Sequence, residues 1–437
     1  MCLKLPLIVK DPYLLKVYLS PRKEIAGSCY GGSEARGSLK GPARLQIQTT
    51  LSSVKHVAVL AFPFGSHPWP LANLLLRLAT ATSDVHFSFL NTAKSNGVIF
   101  PLPSRAELPS NVRVYDVSDG LQDDCQGATK HPREHVDLFL KAAPESFGAA
   151  VDVAEQDVRK KVSCLLTDAF LIFAGEMAEK MQVPWVTLWI PAPYSLAAHV
   201  YTDVISELLR ESSGGGTSTD DDKSLSAVVM NSYAEVNPTP LITDLKSKFK
   251  MLLQVGCLTV SFPPPPLPSG SASDTTGCLT WLDARDPRSV AYICFGTVAM
   301  PSPSESGRAY GKFVPWAPQG QVLSHPACGV YVTHCGYNSV FESVAGGVPM
   351  VCKPFWADNM MNGRMIEEVW GIGVKVEGGT ITKSGMEKAL EVVLRGEDGK
   401  EMRKKVGELR ERLVEAAGPD GSAEADFKVL VELISTS

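Results

Sequence analysis

Residues 316–359 read WAPQGQVLSHPACGVYVTHCGYNSVFESVAGGVPMVCKPFWADN, and the order of residue types in this stretch sets the fold of its half of the chain. Gly329–Thr333 is a short β-branched run of strand character. It ends at His334-Cys-Gly-Tyr-Asn-Ser, after which a helix runs from Ser339. A second apolar strand, Met350–Cys352, follows that helix. Strand, helix, strand in this order is the unit of a parallel sheet. The first turn of the helix offers free N–H groups and the positive end of a dipole, which together suit a diphosphate.

The same alternation continues outward. Ala291–Phe295 and Phe313–Pro315 precede the segment and Gly373–Val376 follows it, each a strand candidate. Met402, Val406, Leu409 and Leu413 then share one face of a long structural helix. Toward the amino end, Ser261–Gly277 contains four consecutive prolines, Pro263–Pro266, and reads as a stiff spacer. Before it, Val57–Phe62, His86–Leu90, Val112–Asp116, Cys164–Thr167, Trp185–Trp189 and Ala227–Asn231 form a second strand series, with Leu71–Ala79 as its first helix. The pattern predicts an α/β protein of two doubly wound Rossmann-like domains facing across a cleft. They span residues 53–260 and 278–437, joined by the linker 261–277, with the last helix packing back on the N-terminal domain. Residues 1–52 carry eight Lys or Arg against three Asp or Glu, and read as a basic leader or an organelle transit peptide.

Composition narrows the function. A chain of 437 residues is too long for one ordinary core. The formal net charge of −5 supplies no basic excess for nucleic acid. No apolar run approaches the ~20 residues of a spanning helix, so no stable membrane insertion is expected. The ten cysteines are scattered without a C-x-x-C pair, which points to free thiols in a reducing, cytoplasmic compartment. Phosphate-binding G-x-x-x-x-G-K-[ST], dinucleotide G-x-G-x-x-G, the G-x-S-x-G elbow and H-E-x-x-H are all missing from the sequence. No metal site is expected.

Two residues stand at the carboxyl ends of parallel strands, where open α/β sheets place ligands. His67 follows the first strand in Phe62-Pro-Phe-Gly-Ser-His, and Asp168 follows Cys164–Thr167. A neutral imidazole there can take a proton from an acceptor hydroxyl. A carboxylate on its far nitrogen fixes the tautomer and stabilises the imidazolium as it forms. Taken alone, His67 also reads as an ordinary loop histidine.

The 316–359 segment resembles the signature box of the plant secondary-product UDP-glycosyltransferases and fills it without a gap. Further stretches resemble the flavonoid and anthocyanidin 3-O-glucosyltransferases of that family: HVAVLAFPFGSH (His56–His67), KAAPESF (Lys141–Phe147), DLKSKFK (Asp244–Lys250), TTGCLTWL (Thr275–Leu282) and NGRMIEEV (Asn362–Val369). The resemblance implies a GT-B fold and inverting transfer of a hexose, glucose first, from a UDP-sugar to a flavonoid hydroxyl, as in anthocyanin biosynthesis. It makes His67 the general base and Asp168 its partner. His334, Asn338, Ser339 and, upstream, Thr297 would hold the phosphates, Trp316 would stack on uracil, and Glu342 would accept from the ribose. Asp358 and Asn359 would bind the sugar, with Ala317 and Tyr337 completing the donor set. His199 would line the acceptor pocket, its alternative being a plain helix-face residue, and Ile190 stands where relatives often have a sugar-contacting Thr. The UDP-sugar (UDP-glucose or UDP-galactose) is a co-substrate, the acceptor a flavonol or anthocyanidin, no cofactor is implied, and the enzyme is expected to act as a monomer.

The chain also departs from the family. Tyr337 replaces the usual Trp, Asn359 replaces Gln or His, and 212–223 and 298–315 are shorter than their counterparts. The second shortening implies a C-terminal domain lacking one helix and one strand. The alternative reading is therefore a non-catalytic or poorly folded shortened variant that at most binds UDP.

Overall fold

The computed structural model describes residues 54–121, 132–205, 225–262, 276–295, 312, 314, 317–355, 357–376 and 382–436. Thr297, Trp316, the prolines 263–266, the stretch 212–223, nearly all of 298–315 and the leader 1–52 lie outside the described residues.

Seven strands form the first sheet: β1 (Lys55–Leu60), β2 (Val85–Thr92), β3 (Val112–Val117), β4 (Cys164–Asp168), β5 (Trp185–Trp189), β6 (Leu225–Met230) and β7 (Leu252–Gln254). They pair in the order β3-β2-β1-β4-β5-β6-β7, and every pairing is parallel. The apolar run in β1 is continuous because both faces of the sheet are covered. Val57, Val59 and Ala61 enter one core with Leu71, Leu75 and Leu78 of the helix Pro68–Ala81. Ala58, Leu60 and Phe62 enter the other with Phe139 and Phe147 of the helix Pro132–Val158. The three-residue β7 escapes the sequence reading because so short a run has no measurable period.

The second sheet has four described strands, β8 (Val290–Cys294), β9 (Cys328–Thr333), β10 (Met350–Cys352) and β11 (Gly373–Lys375), in the order β11-β10-β9-β8 and again all parallel. Among the described residues β8 is its edge, and Ile293 is 56% exposed there. Val330, Val332 and Val351 face the helix Lys383–Arg395 side through Ala389 and Val393. Tyr331, Met350 and Cys352 face the helices Tyr337–Gly346 and Glu397–Ala416.

The predicted face of Met402, Val406, Leu409 and Leu413 is buried in that helix. It is not the last element. The helix Ser422–Thr436 follows and inserts Phe427, Leu430 and Ile434 into the core of the first sheet. Arg77 ties it down through a 2.9 Å ion pair with Glu424, and Asp426 accepts the Gln254 N–H at 2.7 Å. Among the described residues no helix is long and apolar enough to cross a membrane.

One buried histidine serves the sheet. His56 on β1 is fully buried, with Nδ1 3.0 Å from the Lys160 carbonyl and Nε2 2.8 Å from the Ser88 hydroxyl. Burial lowers its pKa below the ordinary 6.5, and the Lys160 carbonyl offsets this only in part. The unfolded chain therefore binds a proton that the folded chain refuses, so His56 stabilises the fold above its unfolded pKa and that stability is lost as pH falls below it. Urea midpoints should drop between about pH 7.5 and about pH 5.5, and the drop should shrink in His56→Asn; an equal drop in the variant assigns it to other groups.

Candidate active site

The strand order of the first sheet reverses between β1 and β4, so the loops after these adjacent strands part and leave a crevice at their carboxyl ends. His67 leaves the loop after β1 and Asp168 closes β4. Their side chains meet with Nδ1 and Oδ2 2.8 Å apart. The carboxylate is 1% exposed and the imidazole 18%. The other Asp168 oxygen accepts the Phe170 N–H at 2.8 Å, so both oxygens are held. Phe62 and Phe170 pack on the ring, with centroids at 5.3 and 4.4 Å. Asp168 accepting at Nδ1 leaves Nε2 as the ring's proton acceptor, the state a general base needs.

The second sheet brings its own crevice to the same place. After β9, Cys335 takes the left-handed conformation at φ +68°, which costs a non-glycine residue roughly 1–2 kcal/mol. The Thr333 hydroxyl secures the turn by accepting the Cys335 N–H at 3.1 Å. Gly336 lies under the His334 ring, where a Cβ would clash with Nε2. Burial lowers the His334 pKa, a backbone hydrogen bond at Cys294 opposes this, and its buried Nδ1 has no hydrogen-bond partner among the described residues. The helix Tyr337–Gly346 then starts, with Asn338, Ser339 and Glu342 in its first two turns.

Gln319 organises this helix from below. Its Nε2 donates to Ser339 Oγ at 3.0 Å and to Glu342 Oε2 at 2.6 Å. Its Oε1 accepts from the Tyr292 and Tyr331 hydroxyls at 3.1 and 3.3 Å. Burial raises the Glu342 pKa, while the bonds from Gln319 and Ser339 hold it partly down. Asp358 is governed alike: burial raises its pKa, and a bond from Asn362 and the nearby His67 counter this. Asn362 Nδ2 reaches both Asp358 Oδ2, at 3.0 Å, and the Cys335 carbonyl, at 2.9 Å, locking the helix Asn359–Arg364 to the turn. Histidine, half-buried amide, hydroxyl and carboxylates along one helix start and the next are groups of a kind that suit a phosphorylated, hydroxyl-rich ligand.

Known proteins agree on this architecture. A family model described as UDP-glucoronosyl and UDP-glucosyl transferase matches residues 300–411. The flavonol 3-O-glucosyltransferase F3GT2 of Actinidia chinensis var. chinensis is 40% identical over 458 residues, covering 88% of this chain and 98% of the relative. The chain belongs to the UDP-glycosyltransferase family. The anthocyanidin 3-O-glucosyltransferase UFGT of Vitis vinifera is 38% identical, covering 89% of this chain and 98% of its own length. A crystal structure of UDP-glucose: anthocyanidin 3-O-glucosyltransferase in complex with UDP superposes with a TM-score of 0.78 at 34% identity, over 89% of this chain and all of the other. Os79 from O. sativa, 20% identical with a TM-score of 0.69, shares the fold. This UDP-glycosyltransferase is thus an enzyme by family, with two parallel sheets of GT-B type.

In the transferase Asn338 reaches Ser66, and Asp358 lies near His67, which pairs with Asp168. His334, Ser339, Glu342 and Asn359 stand on the turn and helices that carry Asn338 and Asp358, whereas Thr297 and Trp316 lie outside the described residues. Ala317 packs on a small cluster around Val322. Tyr337 is 4% exposed and spends its side chain on packing, with the ring against Phe341 and the hydroxyl 2.9 Å from Ser232. Ile190 is 5% exposed and part of the first core. His199 sits on the exposed side of the helix Pro193–Val200, its ring 5.6 Å from Trp189. Gln319, Asn362 and Asn231 were not anticipated, since each acts on another site residue. Gln319 inside 316–359 and Asn362 at the head of Asn362–Val369 are the visible signals.

Replacing Gln319 with Leu leaves two tyrosine hydroxyls and a buried carboxylate short of a partner. The expected loss is about 1–3 kcal/mol in urea unfolding, and an unchanged midpoint would show that water takes over its bonds.

Proposed function

We propose that this chain transfers a hexose, glucose first, from a UDP-sugar to a hydroxyl of a flavonol- or anthocyanidin-like acceptor, with inversion at the anomeric carbon. The supporting observation is the 2.8 Å His67–Asp168 pair at the strand-order reversal, facing a helix start on the other sheet. The printed names of the relatives, flavonol and anthocyanidin 3-O-glucosyltransferases, support the acceptor class and the 3-hydroxyl. A 3-O-galactosyltransferase among them, at 38% identity, keeps UDP-galactose as the second donor.

In this reading His67 Nε2 takes the acceptor hydroxyl proton as the oxygen attacks the anomeric carbon. The bond to the UDP oxygen breaks, and UDP leaves on the opposite face. Asp168 stabilises the imidazolium. His334, Asn338, Ser339 and Thr297 hold the diphosphate, and Glu342 takes the ribose. Trp316 stacks on the uracil beside Ala317. Asp358 and Asn359 orient the sugar, and His199 borders the acceptor. Tyr337 and Ile190 act by packing. Both halves of the site come from one chain, in keeping with a monomer. Seven free cysteines among the described residues are in keeping with the cytoplasm. The two domains of this reading are 53–260 and 278–437, with the basic leader ahead of them.

His67→Ala should lower turnover of a flavonol with UDP-glucose about 10²–10⁴-fold while UDP still raises the melting temperature. Retained turnover removes His67 as the base. A parent chain that UDP stabilises but that turns nothing over is instead a UDP-binding variant. Asn359→Gln lengthens the amide by one methylene and should raise the preference for UDP-glucose over UDP-galactose; an unchanged ratio removes Asn359 from sugar selection.

A further inference from the structure

The two sheets are joined by paired side chains, and the members on the first sheet's side, Asn231 and Ser232, take no part in the proposed reaction. Asn231 stands at the carboxyl end of β6 and is fully buried. Its Oδ1 accepts the Leu258 N–H at 2.7 Å, and its Nδ2 donates to the Ile190 carbonyl at 3.3 Å. These backbone partners have fixed polarity, one donor and one acceptor, so the Asn231 amide has a single possible orientation. Its remaining N–H therefore points at an acceptor, and that acceptor is Oδ1 of Asn338, 3.1 Å away on the first turn of the opposite helix. With its oxygen so engaged, Asn338 turns its own NH₂ outward, to within 3.5 Å of the Ser66 hydroxyl beside His67.

The neighbouring pair repeats the link. Ser232 meets the Tyr337 hydroxyl at 2.9 Å, and Asn237 donates to Ser232 at 3.1 Å. Tyr337, one of the positions at which this chain departs from its family, so gains a polar partner for its hydroxyl.

We propose that Asn231 is a positioning residue that sets the amide orientation of Asn338, so that an N–H donor and not an oxygen faces the donor diphosphate. A reversed Asn338 amide would present a lone pair to the phosphates, so the orientation is worth affinity and not only stability. The inference rests on the reading of Asn338 as a phosphate ligand.

A double-mutant cycle tests it, with UDP as probe, calorimetric titration of the full chain and thermal midpoints measured without UDP. Asn231→Ala and Asn338→Ala should each weaken UDP binding about tenfold, with no further loss in the double variant. Losses that multiply, or an Asn231→Ala chain that binds UDP as the parent does, overturn the proposal. Asn231→Asp keeps the shape but removes the NH₂, forcing Asn338 to reverse, and should weaken UDP binding more than Asn231→Ala.

Should every Asn231 variant unfold, Asn338 variants still decide. Asn338→Asp offers Asn231 the same acceptor, so its thermal midpoint should match the parent while UDP binding falls at least about tenfold. Asn338→Leu should lower the midpoint, and an equal drop in Asn338→Asp would mean that the amide points the other way. A parent chain that binds no UDP overturns the donor-site reading itself. That outcome is distinct from failure of this inference alone, in which the parent binds UDP and Asn231→Ala binds it equally.

Discussion

Parallel pairing of β1 with β4, at the point where strand order reverses, is the constraint from which the site follows. Parallel strands present all their carboxyl ends at one edge, and the reversal sends the two following connections to opposite faces. The gap between them is where His67 and Asp168 meet. The strands behind that gap are packed on both faces: Val57 to Leu60 and Cys164 to Leu166 are all fully buried, which anchors both loop roots. A 2.8 Å bond between residues 101 apart in sequence is maintained by this packing on both faces of one sheet.

The second sheet uses the same geometry with different chemistry. Where the first sheet supplies an imidazole and a carboxylate, the second supplies a strained turn, a helix start and two buried carboxylates. Low dielectric would drive both Glu342 and Asp358 toward protonation, and amides from Gln319 and Asn362 oppose it. Those amides in turn bond to tyrosine hydroxyls and to the Cys335 carbonyl, so each carboxylate sits in a polar network of its own. Its cost of assembly is met by apolar packing around it, with Tyr331, Phe341 and Val344 all fully buried.

The halves are joined by an apolar seam, where Tyr233 and Phe262 pack on Phe341, and by specific polar contacts. Asn231 and Ser232 reach Asn338 and Tyr337, the Trp370 indole donates to the Val236 carbonyl at 2.7 Å, and the chain returns through Ser422–Thr436 to complete the first core. A Tyr in place of the family's Trp reads as a defect in the sequence. In the fold it is a fitted part of the joint. Ile190 shows the reverse: a position expected to face the ligand is core, because the side chain that follows Trp189 turns into the sheet's inner face.

Periodicity and local chemistry made much of this legible from residues alone. The apolar runs of β1, β4, β5 and β9, the strand-to-helix turn at His334 and the buried face of residues 402–413 all depend on near neighbours, and local rules reach them. His67 and Asp168 could be placed at strand ends, and the family resemblance supplied their pairing. The tertiary structure alone decided the strand order and the roles of Asn231, Gln319 and Asn362. Those depend on which polar groups burial leaves without water, and a buried amide acquires its partner only when distant segments close around it.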